Sequence, residues 1–397
     1  MDIRRIPLWE SRNGTYLSND LVKAVIEDQG EVVLELSSQN IQGGRVNALS
    51  LPYFRGTGSG VFSDPNADWY KSRQATYQSG GIYFTFPFKS EEHITTANTY
   101  WMVRRYGSES EFGGVWRLSE MKSREEGNRY KATKLDMMLP GHPVLYSLIK
   151  LENNGEEALR YNVSMHAVLA PPFIESGSLI NTSGAEFVAF PPNLREVAFN
   201  RLKSGTPFSD LKHAPSLNGG SIDMAYIPGP NGSYDYIMGK ISEQVSTGYL
   251  SVINPKQQLI YLSFFPAIGD TSLPDDVVKC SNIDLAFNYA GRMDTPYALY
   301  EGGTPQVFTL TAGFGCMDDH GAFNQDKNCV LLPGESKTFL SGHAFTSFDN
   351  PRISGGFYSV EKADHGLVCK RTKSYAYIQA DYSFTVIRNL ASRLLSS

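Results

Sequence analysis

The sequence predicts an all-β fold, a large antiparallel β-sandwich with few short helices. Short runs of β-branched and aromatic residues recur along the chain and are separated by Gly, Pro, Asn and Asp. Aromatic residues make up 12% of the 397 positions, including 22 Tyr and 22 Phe, which suits pleated, half-buried surfaces better than helical bundles. Helical periodicity is confined to the C-terminal stretch. A sheet of this extent must cover its faces, and two sheets packed face to face do so without helices.

In chain order, residues 21–37 (LVKAVIEDQGEVVLELS) read as a hairpin, with Gly30 supplying the positive φ of the reversal. KATKLDMML, PVLYSLIKLEN and EALRYNVSMHAVL follow as a three-stranded meander joined at Pro140-Gly141 and Asn154-Gly155. TGYLSVIN and QQLIYLSFFPA form a strand pair around Asn254-Pro255, and QVFTLTAGF, KTFLSGHAF and KSYAYIQADYSF add further strands. Apolar residues at i, i+3 and i+4 predict a helix from about Phe384 to Leu395 that packs as a lid or as an edge cover. No repeat or low-complexity linker divides the chain, so one domain over 1–397 is expected, with decorations at 1–20, 270–300 and 384–397.

The 36 Lys+Arg and 41 Asp+Glu give a net charge of −5. They are scattered, without the basic stripe that nucleic acid would require, so nucleic acid is not an expected partner. Met1 precedes Asp2, Arg4, Arg5 and Pro7 with no apolar leader, and no run is long enough for a membrane helix. A cytoplasmic protein without membrane association is expected. Cys280, Cys316, Cys329 and Cys369 lack CxxC spacing and read as reduced thiols. Asp318-Asp319-His320 has no second ligand group at recognisable spacing, Gly56-x-Gly58-x-Gly60 is no nucleotide cradle, and no nucleophile elbow occurs. Neither a metal nor a cofactor is expected, and the sequence specifies no oligomeric state.

Chemistry-bearing residues concentrate in a few places. The loop from Arg55 to Pro87 crowds Asn66, Trp69, Tyr70, Arg73 and Tyr77 among glycines, pairing flat aromatic faces with polar forks as sugar recognition does; an ordered loop with internally paired charges is the alternative. Arg104 and Arg105 are adjacent, and strand alternation sends them to opposite faces, so at most one should face a cleft. His166 ends an apolar strand before a Pro-rich break, Glu301 precedes two glycines after an aromatic run, and Asp235 lies between two tyrosines. Strand ends and loops are where a rigid scaffold presents reactive groups to a cleft.

Collinear motifs resemble the galactose mutarotase-like (aldose 1-epimerase) superfamily over roughly residues 20–345: GGRVNAL, YQSGGIYFTFP, RYNVSMHAVLAPPF, GSYDYIMG, TGYLSVINPKQQLIYLSFFP, YALYEGG and VLLPGES. The resemblance implies a supersandwich and acid–base catalysis at the anomeric carbon of a sugar. It further implies His166 as acid, Glu301 as base and Asp235 as a substrate ligand, with Arg55, Asn66, Trp69, Tyr70, Arg73, Tyr77 and Arg104 lining the pocket. Ser79 stands where the family has a histidine before the double glycine, and an alternative alignment through TAGFG (311–315) contains no acid. Two other readings remain on the same scaffold. One is a lyase that neutralises an acidic sugar's carboxylate with Arg73, Arg104 or Asn66 and abstracts a proton with Tyr70 or His166. The other is a non-catalytic carbohydrate-binding protein.

Overall fold

A computed structural model describes residues 1–8, 13–50, 80–86, 100–123, 129–190, 199–291, 306–315, 329–348, 357, 359–370 and 375–395. Two antiparallel sheets of 12 and 8 strands form the sandwich. The larger carries at its centre Gly81–Thr85, Asn162–Leu169, Gln306–Gly315, Cys280–Tyr289 and Ser233–Ile241, in that spatial order. The smaller runs from Leu179–Thr182 to the edge strand Met102–Ser108. Between them lies the main apolar core, built from residues such as Val163, Met165, Leu285, Phe287, Leu310, Leu145, Ile149 and Tyr261.

A second core covers the outer side of the eight-stranded sheet. There the three-stranded sheet Ser359–Ala363, Gly366–Lys370, Tyr375–Gln379 and the helix Thr385–Leu395 pack Leu367, Cys369, Ile378, Ile387 and Leu390 against Tyr146, Leu148 and Phe264. Of the two expected placements the helix takes that of a lid, over a sheet face rather than along an edge, and the Asp381 carboxylate accepts the Val386 N–H at 2.8 Å near its first turn.

The hairpin at 21–37 forms, with consecutive positive φ values at Gly30 (72°) and Glu31 (58°). The expected meander does not. Tyr130–Met138 and Val144–Asn153 pair in the small sheet, whereas Asn162–Leu169 crosses to the large one, between Gly81–Thr85 and Gln306–Gly315. Two segments read as decorations are structural: residues 2–7 and 13–18 form a strand pair in the large sheet, and Cys280–Tyr289 lies near its centre.

The double glycine before the aromatic strand has a steric cause. Gly80 and Gly81 adopt φ of +95° and +79°, and a Cβ on either would lie 2.5 Å from a backbone oxygen, that of Ser50 or Val33 respectively. Gly81→Ala combines a disfavoured φ with that clash, so it should destabilise the protein by more than about 1 kcal/mol in urea unfolding. Wild-type stability in the variant would show that the close approach at Val33 is not required.

Candidate functional site

Register across the large sheet sorts its central residues into two faces. Directly opposed residues on neighbouring antiparallel strands project to the same side, and Tyr83, His166, Asp284 and Met238 form one such row, whose backbone register passes through position 311. Thr85, Ser164, Gly313 and Asn282 form the next row on that side. The alternate residues face the sandwich core, Phe84, Met165, Ala312 and Ile283 between those two rows and Ile82, Ala167, Leu310, Leu285 and Ile237 on the other side of the first. One face of each strand is thus apolar and inward, and the outward face is polar.

The polar face is sheltered from water yet incompletely hydrogen-bonded. Tyr83 Oη, Thr85 Oγ1, Asn282 Oδ1 and Asp284 Oδ1 are buried and have no hydrogen-bond partner among the described residues. Folded proteins seldom leave buried polar atoms unsatisfied, and four on one sheet face mark a place where a polar ligand can supply partners. The His166 ring stacks on Tyr83 with centroids 4.9 Å apart and planes 16° from parallel.

Burial shifts the titratable groups of the central row: it raises the Tyr83 phenol well above its ordinary value, and it moves His166 and Asp284 in opposite directions. His166 is pushed down to about 3 by desolvation of its imidazolium, so the ring is neutral at neutral pH. Asp284, 4% exposed, is pushed up to about 7 by desolvation of its carboxylate, only partly offset by the hydrogen bond from the Tyr236 hydroxyl. Two strand spacings separate their backbones, about 10 Å, with Thr311 between them in register. That gap suits a small molecule touching both groups.

Of the sequence-predicted site residues, His166 occupies this face. Asp235 does not: it pairs with Phe287 on the core-facing side, is fully buried, and accepts from the Arg201 backbone N–H at 2.8 Å and from Arg201 Nε at 2.7 Å. Among the described residues the Asp235 carboxylate therefore lies on the opposite face of the sheet from His166. Arg104 lies on the edge strand of the other sheet, ion-paired with Glu120 at 2.8 Å. The alternation expected for Arg104 and Arg105 fails because the register shifts between Val103 and Arg105, and both arginines line one cleft. Arg55, Asn66, Trp69, Tyr70, Arg73, Tyr77 and Glu301 lie outside the described residues.

Asp284 was missed by sequence reasoning although a signal was present. In Cys280–Tyr289, polar Asn282, Asp284 and Asn288 alternate with apolar Ile283, Leu285 and Phe287, the period-2 pattern of a strand with one polar face. Among the described residues no group of three His, Cys, Asp or Glu is placed to hold a metal ion, and no helix is long and apolar enough to cross a membrane. Asp318-Asp319-His320 lies outside those residues. Cys280, Cys329 and Cys369 are free thiols.

Two large antiparallel sheets with one apolar interior and a polar outer face define an all-β sandwich of the galactose mutarotase-like fold. The chain is similar to a galactose mutarotase-like protein from Clostridium acetobutylicum at 13% identity and a TM-score of 0.56, covering 87% of this chain and 98% of that one. It is also similar to a galactose mutarotase related enzyme from Lactobacillus acidophilus at 10% identity and a TM-score of 0.52, covering 85% and 99%. A TPR-domain containing protein from Parabacteroides distasonis aligns over 97% of this chain at 12% identity and a TM-score of 0.55, and the chain spans 55% of that protein. At such identities the likeness is one of fold. No family model and no curated protein matches the chain.

Proposed function

We propose that the polar face binds a small carbohydrate and that Asp284 and His166 exchange anomers of it by general acid–base catalysis. The observation that carries this reading is the pairing, across Thr311 on one sheet face, of a carboxyl group that titrates at about 7 with a neutral imidazole. A base poised near working pH is what proton transfer from a sugar hydroxyl requires.

Ionised Asp284 takes the anomeric hydroxyl proton while the neutral His166 ring hydrogen-bonds and protonates the ring oxygen as its bond to the anomeric carbon breaks. A neutral imidazole suits a developing alkoxide better than an imidazolium does. Rotation about the adjacent carbon–carbon bond and reclosure return both protons and give the other anomer. Asp284 thus takes the part that the family resemblance assigns to Glu301. The aromatic face of Tyr83 and the unpaired oxygens of Thr85 and Asn282 supply sugar-sized contacts.

Arg104, the described arginine that the elimination reading would use against a sugar carboxylate, belongs to the other sheet. The test is an NMR screen of monosaccharides and sugar phosphates for protein-dependent saturation transfer between anomers. Accelerated exchange for at least one sugar is expected. Binding without acceleration would select the non-catalytic alternative, and unsaturated products from a uronate polymer would select the lyase.

A further inference from the structure

The turn between Tyr130–Met138 and Val144–Asn153 carries a histidine whose ring is tied to the C-terminal cap, the three-stranded sheet and helix that cover the outer side of the small sheet. His142 Nδ1 lies 2.6 Å from the hydroxyl of Tyr146, a fully buried residue of that outer side. The same hydroxyl oxygen accepts the Asp381 backbone N–H at 2.7 Å. Asp381 in turn organises the start of the helix, its carboxylate accepting the Val386 N–H at 2.8 Å and the Ser383 hydroxyl at 2.7 Å. The turn itself is held from the other side, where Asn19 Nδ2 donates to the carbonyls of Leu139 and His142 at 2.8 Å each. Tyr146 therefore joins a fixed turn of the small sheet to the cap at a single oxygen atom.

The hydrogen-bond roles at that oxygen follow from proton counting. A backbone N–H can only donate, so the Tyr146 oxygen is the acceptor toward Asp381, and its one hydroxyl proton needs an acceptor of its own. His142 Nδ1 is that acceptor, which places the proton of the neutral ring on Nε2. A protonated imidazole donates from both nitrogens. Its Nδ1–H would meet the Tyr146 oxygen, and the phenol proton would lose its acceptor in a buried place, an arrangement that costs folding free energy. Among the described residues Tyr146 and Asp381 are the titratable groups that act on the ring. The phenol is held well above its ordinary value by burial and stays a donor. Burial holds His142 below the usual histidine range, with the Asp381 carboxylate offsetting only part of the shift.

We propose that His142, Tyr146 and Asp381 form a proton-sensitive latch, in which protonation of His142 loosens the C-terminal cap from the outer face of the small sheet. A histidine lowered on folding contributes its full stability above the ordinary value of 6.5, and that contribution is lost as pH falls from there through the lower folded value. Acid thus weakens the contact, and neutral pH closes it. The latch lies on the small sheet and does not depend on chemistry at Asp284 and His166.

Amide hydrogen exchange of residues 375–395 in the full chain at pH 5 and pH 8, corrected for the intrinsic pH dependence of exchange, tests it together with nitrogen-15 shifts of the His142 ring. The wild type should carry its ring proton on Nε2 at pH 8, and cap protection at pH 5 should be about two- to tenfold lower, the worth of one hydrogen bond. His142→Gln keeps an acceptor for the phenol and has no proton to gain, so its cap should be protected equally at both pH values. His365, exposed on the cap, is common to both proteins and cancels. Tyr146→Phe should move the His142 titration up toward the ordinary value, because the ring no longer has to accept the phenol proton. A ring protonated on Nδ1 at pH 8, the same pH dependence of protection in wild type and His142→Gln, or an unmoved His142 titration in Tyr146→Phe would each overturn the proposal.

Discussion

Asp284→Asn is expected to slow anomer exchange by about 10²–10⁴, the usual contribution of a positioned acid–base group, while making the folded protein more stable at alkaline pH. Burial pushes the carboxyl up to about 7 in the folded chain, from an ordinary value of 3.8. A carboxyl raised on folding contributes its full stability below the unfolded value, and that contribution is lost as pH rises from about 4 through about 7. At pH 8 the wild type therefore carries an ionised, desolvated carboxylate at a cost bounded by roughly 4 kcal/mol. An asparagine of the same shape avoids it.

Urea unfolding of both proteins at pH 4 and pH 8 should show a stabilised variant at pH 8 and little difference at pH 4. Exchange by the wild type should rise with pH through about 7 as the base ionises and should show no limb from His166, which stays neutral down to about 3. Asp284→Glu should recover part of the rate. Full exchange in Asp284→Asn, or a stability difference that does not change with pH, would remove Asp284 from the mechanism.

Arg117→Met should cost about 3–5 kcal/mol or prevent folding, the range for removing one partner from a buried ionic network. Arg117 is fully buried between the sheets. Its guanidinium donates from Nε to Thr15 Oγ1 at 2.9 Å, from Nη2 to Asp28 Oδ1 at 3.0 Å and from Nη1 to Glu31 Oε2. Lys134 Nζ holds Asp136 at 3.0 Å beside it, and Arg5 Nη1 donates to Asp28 at 2.8 Å. Three cations thus face three carboxylates. Without Arg117, the buried carboxylates of Asp28, Glu31 and Asp136 share two cations.

Because Thr15 belongs to the large sheet, Asp28 follows directly on its strand Val22–Glu27, and Arg117 belongs to the small sheet, the network clamps the layers together. Arg117→Lys should fall between wild type and Arg117→Met, since it keeps the charge without the fork. Glu31→Gln should offset part of the loss in the double variant, a coupling that a cycle of urea midpoints measures. A simple sum of the two single effects would show that the contacts are not energetically linked.

The residues at 1–20 and 270–300 show how far local reading reaches. Both read as decorations in the sequence, yet they supply strands to the large sheet. Cys280–Tyr289 reached its place through pairing with Ser233–Ile241, almost fifty residues earlier, and with Gln306–Gly315. The short turn after Asn153 similarly suggested that Asn162–Leu169 would pair with its predecessor, and it instead changes sheets.

The strand expected to end at His166 runs on to Leu169, but alternation of apolar and polar residues and turn chemistry at Gly30 determined by themselves that this chain would form antiparallel strands and where many of them begin. Such features depend on neighbours a few residues apart. Only the tertiary structure decided that His166 faces Asp284 rather than Asp235, that Arg104 and Arg105 share a distant cleft, and that Arg117 joins the two sheets. Those outcomes depend on strand order and register, which are set by burying apolar surface between segments far apart in sequence, and shifting one strand by a single residue would turn every side chain on it to the other face.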